Sequence, residues 1–268
     1  MEPKVYQAFR NLVYEHSGIF LGDHKQALVS ARIGKRMRAL GLADPQDYLH
    51  VVASDRSGGE LGQLLDAIST NVTHFFREAR HFDVLAHLVH EAAERRQSSF
   101  SIWCAAASSG EEPYSIAMTA LESAPPSMRI NIIASDIATS VLKKAKFGVY
   151  RKQDVEKIDP KLLKKYFQMG ASERAKDLYR VKPVLRDLVS FKQINLSTPP
   201  FPIQGPLDVV FCRNVMIYFN TELRQKLVQN LFSLLKPGGH LIVGMAESLS
   251  SVHHIHKAVE PSVYRKMS

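Results

Sequence analysis

The sequence predicts an α/β protein: a parallel sheet with crossover helices, preceded by an all-helical N-terminal unit. Three observations carry this expectation. Beyond Phe100, four short apolar runs, FSIWCAA, RINIIAS, LDVVFC and HLIVGM, are separated by helix-length segments, the pattern of parallel strands covered on both faces. Before them, the first seventy or so residues place apolar side chains at helical spacing without any period-2 alternation. With 268 residues, 45% of them apolar, the chain is long enough to bury a sizeable core.

Taken in order, a first helix carries Val5, Phe9, Leu12 and Val13 on one face. HSGIFLGDHK supplies glycine breaks, and Leu28, Ile33, Met37 and Leu40 form a looser stripe along KQALVSARIGKRMRALGL. This helical unit is expected over residues 1–70, ending near LLDAISTN. A connector follows over 71–95, polar at first and closing in a helix within NVTHFFREARHFDVLAHLVHEAAERR. The sheet domain is expected over 96–268. Its best marked helix precedes HLIVGM: Asn220 or Thr221 caps it, Leu223, Leu227, Leu231 and Leu234 to Leu235 form its stripe, and KPGG stops it. SVYRKM reads as an added edge strand. Between KAKFGVYRKQ and INLSTPPF lies a charged stretch with a helix at DPKLLKKYFQ and strands at KDLYRVKP and DLVSFKQ, read as a small insert at about 151–192.

Bulk composition excludes several classes. No apolar stretch is long enough to span a bilayer, and MEPKVYQAFRNLVYEHSG lacks the layout of a secretory signal, so a cytoplasmic location is expected. The two cysteines, Cys104 and Cys212, form no CxxC pair and end apolar runs, as reduced buried hydrophobes do. His253, His254 and His256 in VHHIHKA have no cysteine or carboxylate pattern beside them and read as a polar loop, so no metal is expected. A net charge of +9 points to an acidic partner without choosing among nucleic acid, membrane surface and acidic protein.

Ligands of open α/β sheets bind where strands give way to loops at their carboxyl ends. The first such end, CAAASSGEEP, offers small residues that let a ligand approach the backbone, then two glutamates at a helix start. Glu111 and Glu112 suit the positive end of a helix, and one of them equally suits a ligand ammonium group. Neither GxGxxG nor GxxxxGK[ST] is present. The second end, IIASD, puts Asp136 where an acid accepts hydrogen bonds from ribose hydroxyls, or caps a helix. The third, VVFCRNVMIYF, sets Arg213 and Asn214 beside a buried strand, where an arginine is costly unless it meets a carboxylate. Together the three ends describe a site for a nucleoside joined to an amino acid, which is the chemistry of S-adenosylmethionine.

TNVTHFFRE, WCAAASSGEEPYSIAM, ASDIATSVLKKAKFGVY, FCRNVMIYF and LLKPGGHLIVGMAES, in this order, resemble the CheR-type chemoreceptor glutamate methyltransferases over nearly the whole chain. The resemblance implies a class I, Rossmann-like methyltransferase domain with a small β-subdomain insert behind a helical N-terminal domain. It implies methyl transfer from S-adenosylmethionine, leaving S-adenosylhomocysteine, to glutamate side chains on the cytoplasmic coiled coil of chemoreceptors. By motif position, Glu112 and Asp136 hold the methionine and ribose ends of the cofactor. Ala105, Ala106, Asn195, Leu196, Arg213 and Asn214 contact it further, as do Asn71, Thr73 and Arg77 of TNVTHFFR. Arg77 and Tyr218 sit near the transferable methyl as catalytic residues. In some members a peptide from the receptor C-terminus binds the insert; QMGASERAKDLYRV lacks the glycine-X-glycine turn of those members.

Residues 1–40 hold seven basic side chains against three acids, and four of the seven, Arg32, Lys35, Arg36 and Arg38, fall within ARIGKRMR. A solvated helix face is the plain reading, and a docking surface for an acidic coiled coil is the functional one. Two rival functions are weighed against this. A nucleic-acid methyltransferase suits the charge, but no NPPY-type base-stacking motif is present. A cofactor sensor without turnover has no need of the full set of Arg77, Asp136, Arg213, Asn214 and Tyr218.

Overall fold

The computed structural model describes residues 1–173, 175–249 and 256–267. Helices α1 (Pro3–Ser17), α2 (Gln26–Leu40), α3 (Pro45–Ser54) and α4 (Gly59–Ile68) build the helical unit. Pro3 opens α1, whose N–H groups at the first turn need no intrahelical partner, and Gly18 closes it in the left-handed region at φ 72°. Asp44 caps α3 by accepting from the Gln46 amide. Tyr6, Phe9 and Val13 meet Val29, Ile33, Tyr48 and Leu64 in a core of their own. The face that α2 buries is therefore Val29, Ile33 and Met37, whereas Leu28 and Leu40, expected in its stripe, stay exposed. Those two lie about one residue off the four-residue spacing that points inward.

After α5 (Arg80–Glu94) come β1 (Ser99–Cys104), α6 (Glu111–Ser123), β2 (Arg129–Asp136) and α7 (Thr139–Phe147). Next are β3 (Val149–Arg151), α8 (Lys152–Val155), α9 (Pro160–Tyr166), β4 (Phe167–Met169), β5 (Leu178–Val181) and α10 (Pro183–Arg186). The chain ends through β6 (Val189–Gln193), β7 (Leu207–Cys212), α11 (Thr221–Leu234), β8 (Leu235–Val243), β9 (His256–Glu260) and β10 (Val263–Lys266). The main sheet runs β6-β2-β1-β7-β8-β10-β9, and β3-β5-β4 form a small antiparallel sheet beside it. The first five strands of the main sheet are parallel and the last two antiparallel. Two apolar layers cover its faces, one containing Phe82, Leu85, Ile102 and Phe211 and the other Trp103, Val210, Leu227 and Leu241.

Four expectations change here. DLVSFKQ is no part of the insert: as β6 it pairs in parallel with β2, Ile132 opposite Val189. It is polar because it is the edge of the sheet, where charge blunts strand-to-strand association. SVYRKM is an inner strand, since β9 lies outside it. β9 begins at His256 of the stretch read as a polar loop; the His256 ring is buried, stacked on Phe232 with centroids 5.1 Å apart and edge-on to Tyr264 at 5.0 Å. His253 and His254 lie outside the described residues. Asn220, not Thr221, caps α11, and Leu235 already belongs to β8.

Candidate active site

The chain leaves β1 towards β2 on one side and leaves β7 towards β8 on the other, so β1 and β7 are neighbours from which connections diverge. Their carboxyl ends open the crevice where such sheets bind ligands. A cleft of about 340 Å³ lies there, walled by the strand-end loops and by Lys25, Leu28, Val29 and Arg32 of the helical unit. Hydrogen bonds between the two units, three of them at 2.7 Å, fix the helical unit against the sheet domain. The Phe20 amide donates to the Tyr218 carbonyl, Asn195 Nδ2 to the His16 carbonyl and Asn220 Nδ2 to Tyr14 Oη, each at 2.7 Å. At Gly18 a Cβ would lie 2.8 Å from that of Ser197 and closer still to Leu223, so glycine is required where the units touch.

At the end of β1, Ala105 and Ala106 line the cleft, and the Ala105 amide donates to the Phe211 carbonyl of β7. Gly110, at φ 101°, turns the chain into α6 where a Cβ would meet Tyr150 Oη at 2.6 Å and Ala145 Cα at 2.9 Å. The two glutamates then separate. Glu111 is buried away from the cleft and accepts from Ser109 Oγ at 2.7 Å, which is a structural role. Glu112 faces the cleft, accepts from the Cys104 thiol at 3.2 Å and pairs with Arg213 at 2.5 Å. Burial pushes its carboxyl above the ordinary range against the pull of Arg213.

Asp136 ends β2 at the cleft wall. Its two oxygens accept from the Ser108 amide at 2.8 Å and the Ala138 amide at 3.0 Å, which fixes the carboxylate while leaving lone pairs for a ligand. Burial raises its pKa against those bonds. Asn195 and Leu196, after β6, also line the cleft, the former with its amide turned to His16 and Ser197.

Arg213, at the end of β7, meets two carboxylates. One terminal nitrogen donates to Glu112, and the other to Glu78 at 3.0 Å and to the Arg77 carbonyl at 2.5 Å. Its Nε is buried without a hydrogen-bond partner among the described residues. Burial raises the pKa of Glu78, but the Arg213 hydrogen bond and charge, with Asn214 and the Met245 amide, outweigh it and hold the carboxyl low. Sequence reasoning assigned Glu78 no role. FFRE was already singled out for Arg77, and the requirement that Arg213 meet a carboxylate was the available signal; a separation of 135 residues hid the partner. Asn214 adopts φ 55°, a conformation asparagine tolerates, and donates to Glu78 at 3.3 Å.

Asn71, Thr73, Arg77 and Tyr218 also line the cleft, the Asn71 carbonyl accepting from Ser108 Oγ at 3.2 Å. Arg77 donates to the Val72 carbonyl at 3.0 Å and enters no ion pair among the described residues. Lys25 Nζ stands 5.5 Å over the Tyr218 ring. Every residue expected at the cofactor or the methyl thus borders one cleft. The four docking candidates are divided instead. Arg36 forks onto Glu60 with two 2.6 Å bonds, and Arg32 caps α4 through the carbonyls of Ile68 and Ser69 and lines the cleft. Lys35 and Arg38 alone of the four are exposed.

Small residues at a strand end, a fixed acid after the next strand and a desolvated carboxylate suit a nucleoside amino acid, and the volume falls in the range of small-molecule sites. Residues 4–69 match the family model described as CheR methyltransferase, all-alpha domain, and residues 71–265 match CheR methyltransferase, SAM binding domain. The chain is 41% identical to the chemotaxis protein methyltransferase of Escherichia coli K12 over 91% of its own length and 84% of that protein. It is 42% identical to that of Salmonella typhimurium over 90% and 82%. Chemotaxis protein methyltransferase 2 of Pseudomonas aeruginosa is 40% identical over 97% and 91%.

Proposed function

This chain belongs to the CheR methyltransferase family, and from that premise we propose that it esterifies glutamate side chains on the cytoplasmic coiled coil of a chemoreceptor. It is an S-adenosylmethionine-dependent methyltransferase. The observation that carries the substrate reading is the charge of the cleft: Lys25, Arg32, Arg77 and Arg213 line it against only Glu112 and Asp136. Arg213 is neutralised by Glu112 and Glu78, whereas Arg77 has no acidic partner among the described residues. An unpaired guanidinium beside the site suits an incoming carboxylate.

When bound, the cofactor supplies a methyl group on a sulfonium sulfur, which a carboxylate oxygen displaces to give the methyl ester. Glu112, buried and matched by a single arginine, is suited to the ammonium of the methionine end, and Asp136 to ribose hydroxyls. Ala105, Ala106, Asn195, Leu196, Asn214, Asn71 and Thr73 complete the lining around it. A glutamate substrate, with an ordinary pKa of about 4.3, arrives ionised, so the protein need not remove a proton. Arg77 orients the carboxylate and excludes water from it, and Tyr218 assists by a hydrogen bond; their contribution is alignment. Lys35 and Arg38, exposed on α2, form the docking face for the acidic helix, with Arg32 behind them at the cleft. The insert sheet is the place where a receptor C-terminal peptide would be tested for binding.

The test is incubation with methyl-labelled S-adenosylmethionine and receptor-containing membranes, followed by mild base. Volatile labelled methanol from a receptor-sized band is the expected result. Base-stable label, or label in nucleic acid, overturns it.

A further inference from the structure

The turn that carries Asn214 and Tyr218 into the cleft has little regular structure of its own. It leaves β7 through Asn214 in the left-handed region and passes through a single 3-10 turn at Met216–Tyr218. Three residues beyond Tyr218 the chain is already in α11. What fixes this segment comes from elsewhere. Glu247, on the loop after β8, is buried with 6% of its surface exposed. Its Oε1 accepts from the amides of Val215 at 3.0 Å, Met216 at 2.8 Å and Ile217 at 3.3 Å. Its Oε2 accepts from the amides of Asn214 at 2.8 Å and Gly244 at 2.7 Å. One carboxylate thus satisfies four successive amides of the turn, which would otherwise be left without partners at the wall of a cleft. The carbonyl side is held by the opposite charge: Arg224 of α11 donates to the carbonyls of Met216 at 3.2 Å and Phe219 at 3.5 Å.

The return of the β8 loop to this turn also needs a particular residue. At Gly244 a Cβ would stand 2.5 Å from Asn214 Nδ2, 2.8 Å from Glu247 Oε2 and 3.0 Å from the Asn214 amide. Only glycine lets the loop come close enough for Glu247 to reach back across the strand ends.

We propose that Glu247 is a positioning residue of the methyl-transfer site, setting through the backbone of Asn214–Ile217 where Tyr218 stands in the cleft. The inference rests on the reading of Tyr218 as a residue of that site. Carboxylate chemistry is specific to the task. Two oxygens with four lone-pair directions receive five N–H donors, and charge-assisted bonds of this kind are about twice as strong as neutral ones. A glutamine presents one oxygen and turns two N–H donors of its own towards amides that also donate, so E247Q keeps the shape and loses the clamp. An exposed carboxylate would carry no such weight.

The experiment compares wild type, E247Q, Y218A and the E247Q/Y218A double variant, at saturating cofactor and receptor, with kcat expressed per folded molecule. E247Q is expected to lower kcat at least tenfold. In the Y218A background the same substitution is expected to change kcat less than twofold, because the group it positions is gone. Backbone amide exchange at Asn214–Ile217 is expected to quicken in E247Q. Should E247Q fail to fold, R224K, which loosens the carbonyl side alone, is expected to lower kcat severalfold with the same dependence on Tyr218. A merely structural role predicts a lower melting temperature with kcat per folded molecule within twofold of wild type, and that result overturns the inference. So does a loss of equal size in the Y218A background. A wild-type protein that forms no base-labile ester overturns the underlying functional reading instead, and the inference with it.

Discussion

Arg36 in the helical unit and Arg213 at the end of β7 both lie against glutamate carboxylates, yet they are satisfied differently. Arg36 and Glu60 meet fork to fork, with Nε to Oε1 and a terminal nitrogen to Oε2 both at 2.6 Å, and Tyr48 Oη adds a bond at 2.9 Å. That pair is closed on itself, at the margin of the four-helix core, with Arg36 half-buried and Glu60 buried. Arg213 is divided between Glu112, Glu78 and the Arg77 carbonyl, and its Nε has no hydrogen-bond partner among the described residues. It borders the cleft. A complete ion pair holds structure together, whereas an ion cluster shared among three loops at a strand end fixes the loops relative to one another. The second arrangement builds a site.

The comparison breaks most sharply at Arg213. R213A leaves the buried Glu112 and the half-buried Glu78 without their counter-charge and is expected to cost about 3–5 kcal/mol of stability and all detectable methyl transfer; denaturant unfolding and the base-labile label assay read the two. R77A touches the same loops without an ion pair to break. It is expected to reduce turnover on the order of 10²-fold through misplacement of the substrate, with a smaller loss of cofactor affinity and the melting temperature nearly unchanged. Loss of cofactor binding with turnover intact in the residual complex would reverse that assignment.

E60A, in the closed pair, is expected to cost about 1–3 kcal/mol while the protein that remains folded keeps its kcat, measured by unfolding and single-condition turnover. Acid should separate the two clusters. Burial, with Arg213 beside it, pushes His81 down to about 4, so the unfolded chain binds more protons between its ordinary 6.5 and that value, and stability falls as pH drops through this window. The hydrogen bond from Arg36 holds Glu60 below its ordinary 4.5, so its contribution is present above 4.5 and is lost only at lower pH. H81Q should flatten the first phase and E60A part of the second, which Glu78, also held low, shares, in unfolding stability measured against pH. The smallest effect belongs to the exposed cations. K35A and R38A together should raise the Michaelis constant for receptor severalfold at low salt and hardly at all at high salt, since such contacts are worth about 1 kcal/mol or less each.

Strand ends were the most legible part of the molecule. β1, β2, β7 and β8 are short apolar runs because parallel strands are covered on both faces, and the residues just beyond them, Glu112, Asp136, Arg213 and Asn214, are those that border the cleft. Elements at the margins were harder to read. β6 and β9 bury only part of their length at sheet edges, so their composition is polar and neither carries an apolar run. Arg36 and Arg38 stand two residues apart in one basic run, and nothing in that run separates the arginine that pairs inward from the one that stays exposed.

Local spacing and contiguous motifs were enough to read the parallel sheet, the helical unit before it, the family, and the acids and small residues that border the cleft. Which charges meet depends on the folded chain. Glu78 and Arg213, Glu112 and Arg213, and Glu247 and the Asn214–Ile217 amides are brought together across 135, 101 and 30 or more residues of chain. Such pairings are set by sheet order and loop packing, and a carboxylate carries no mark in the sequence of the partner that will neutralise it.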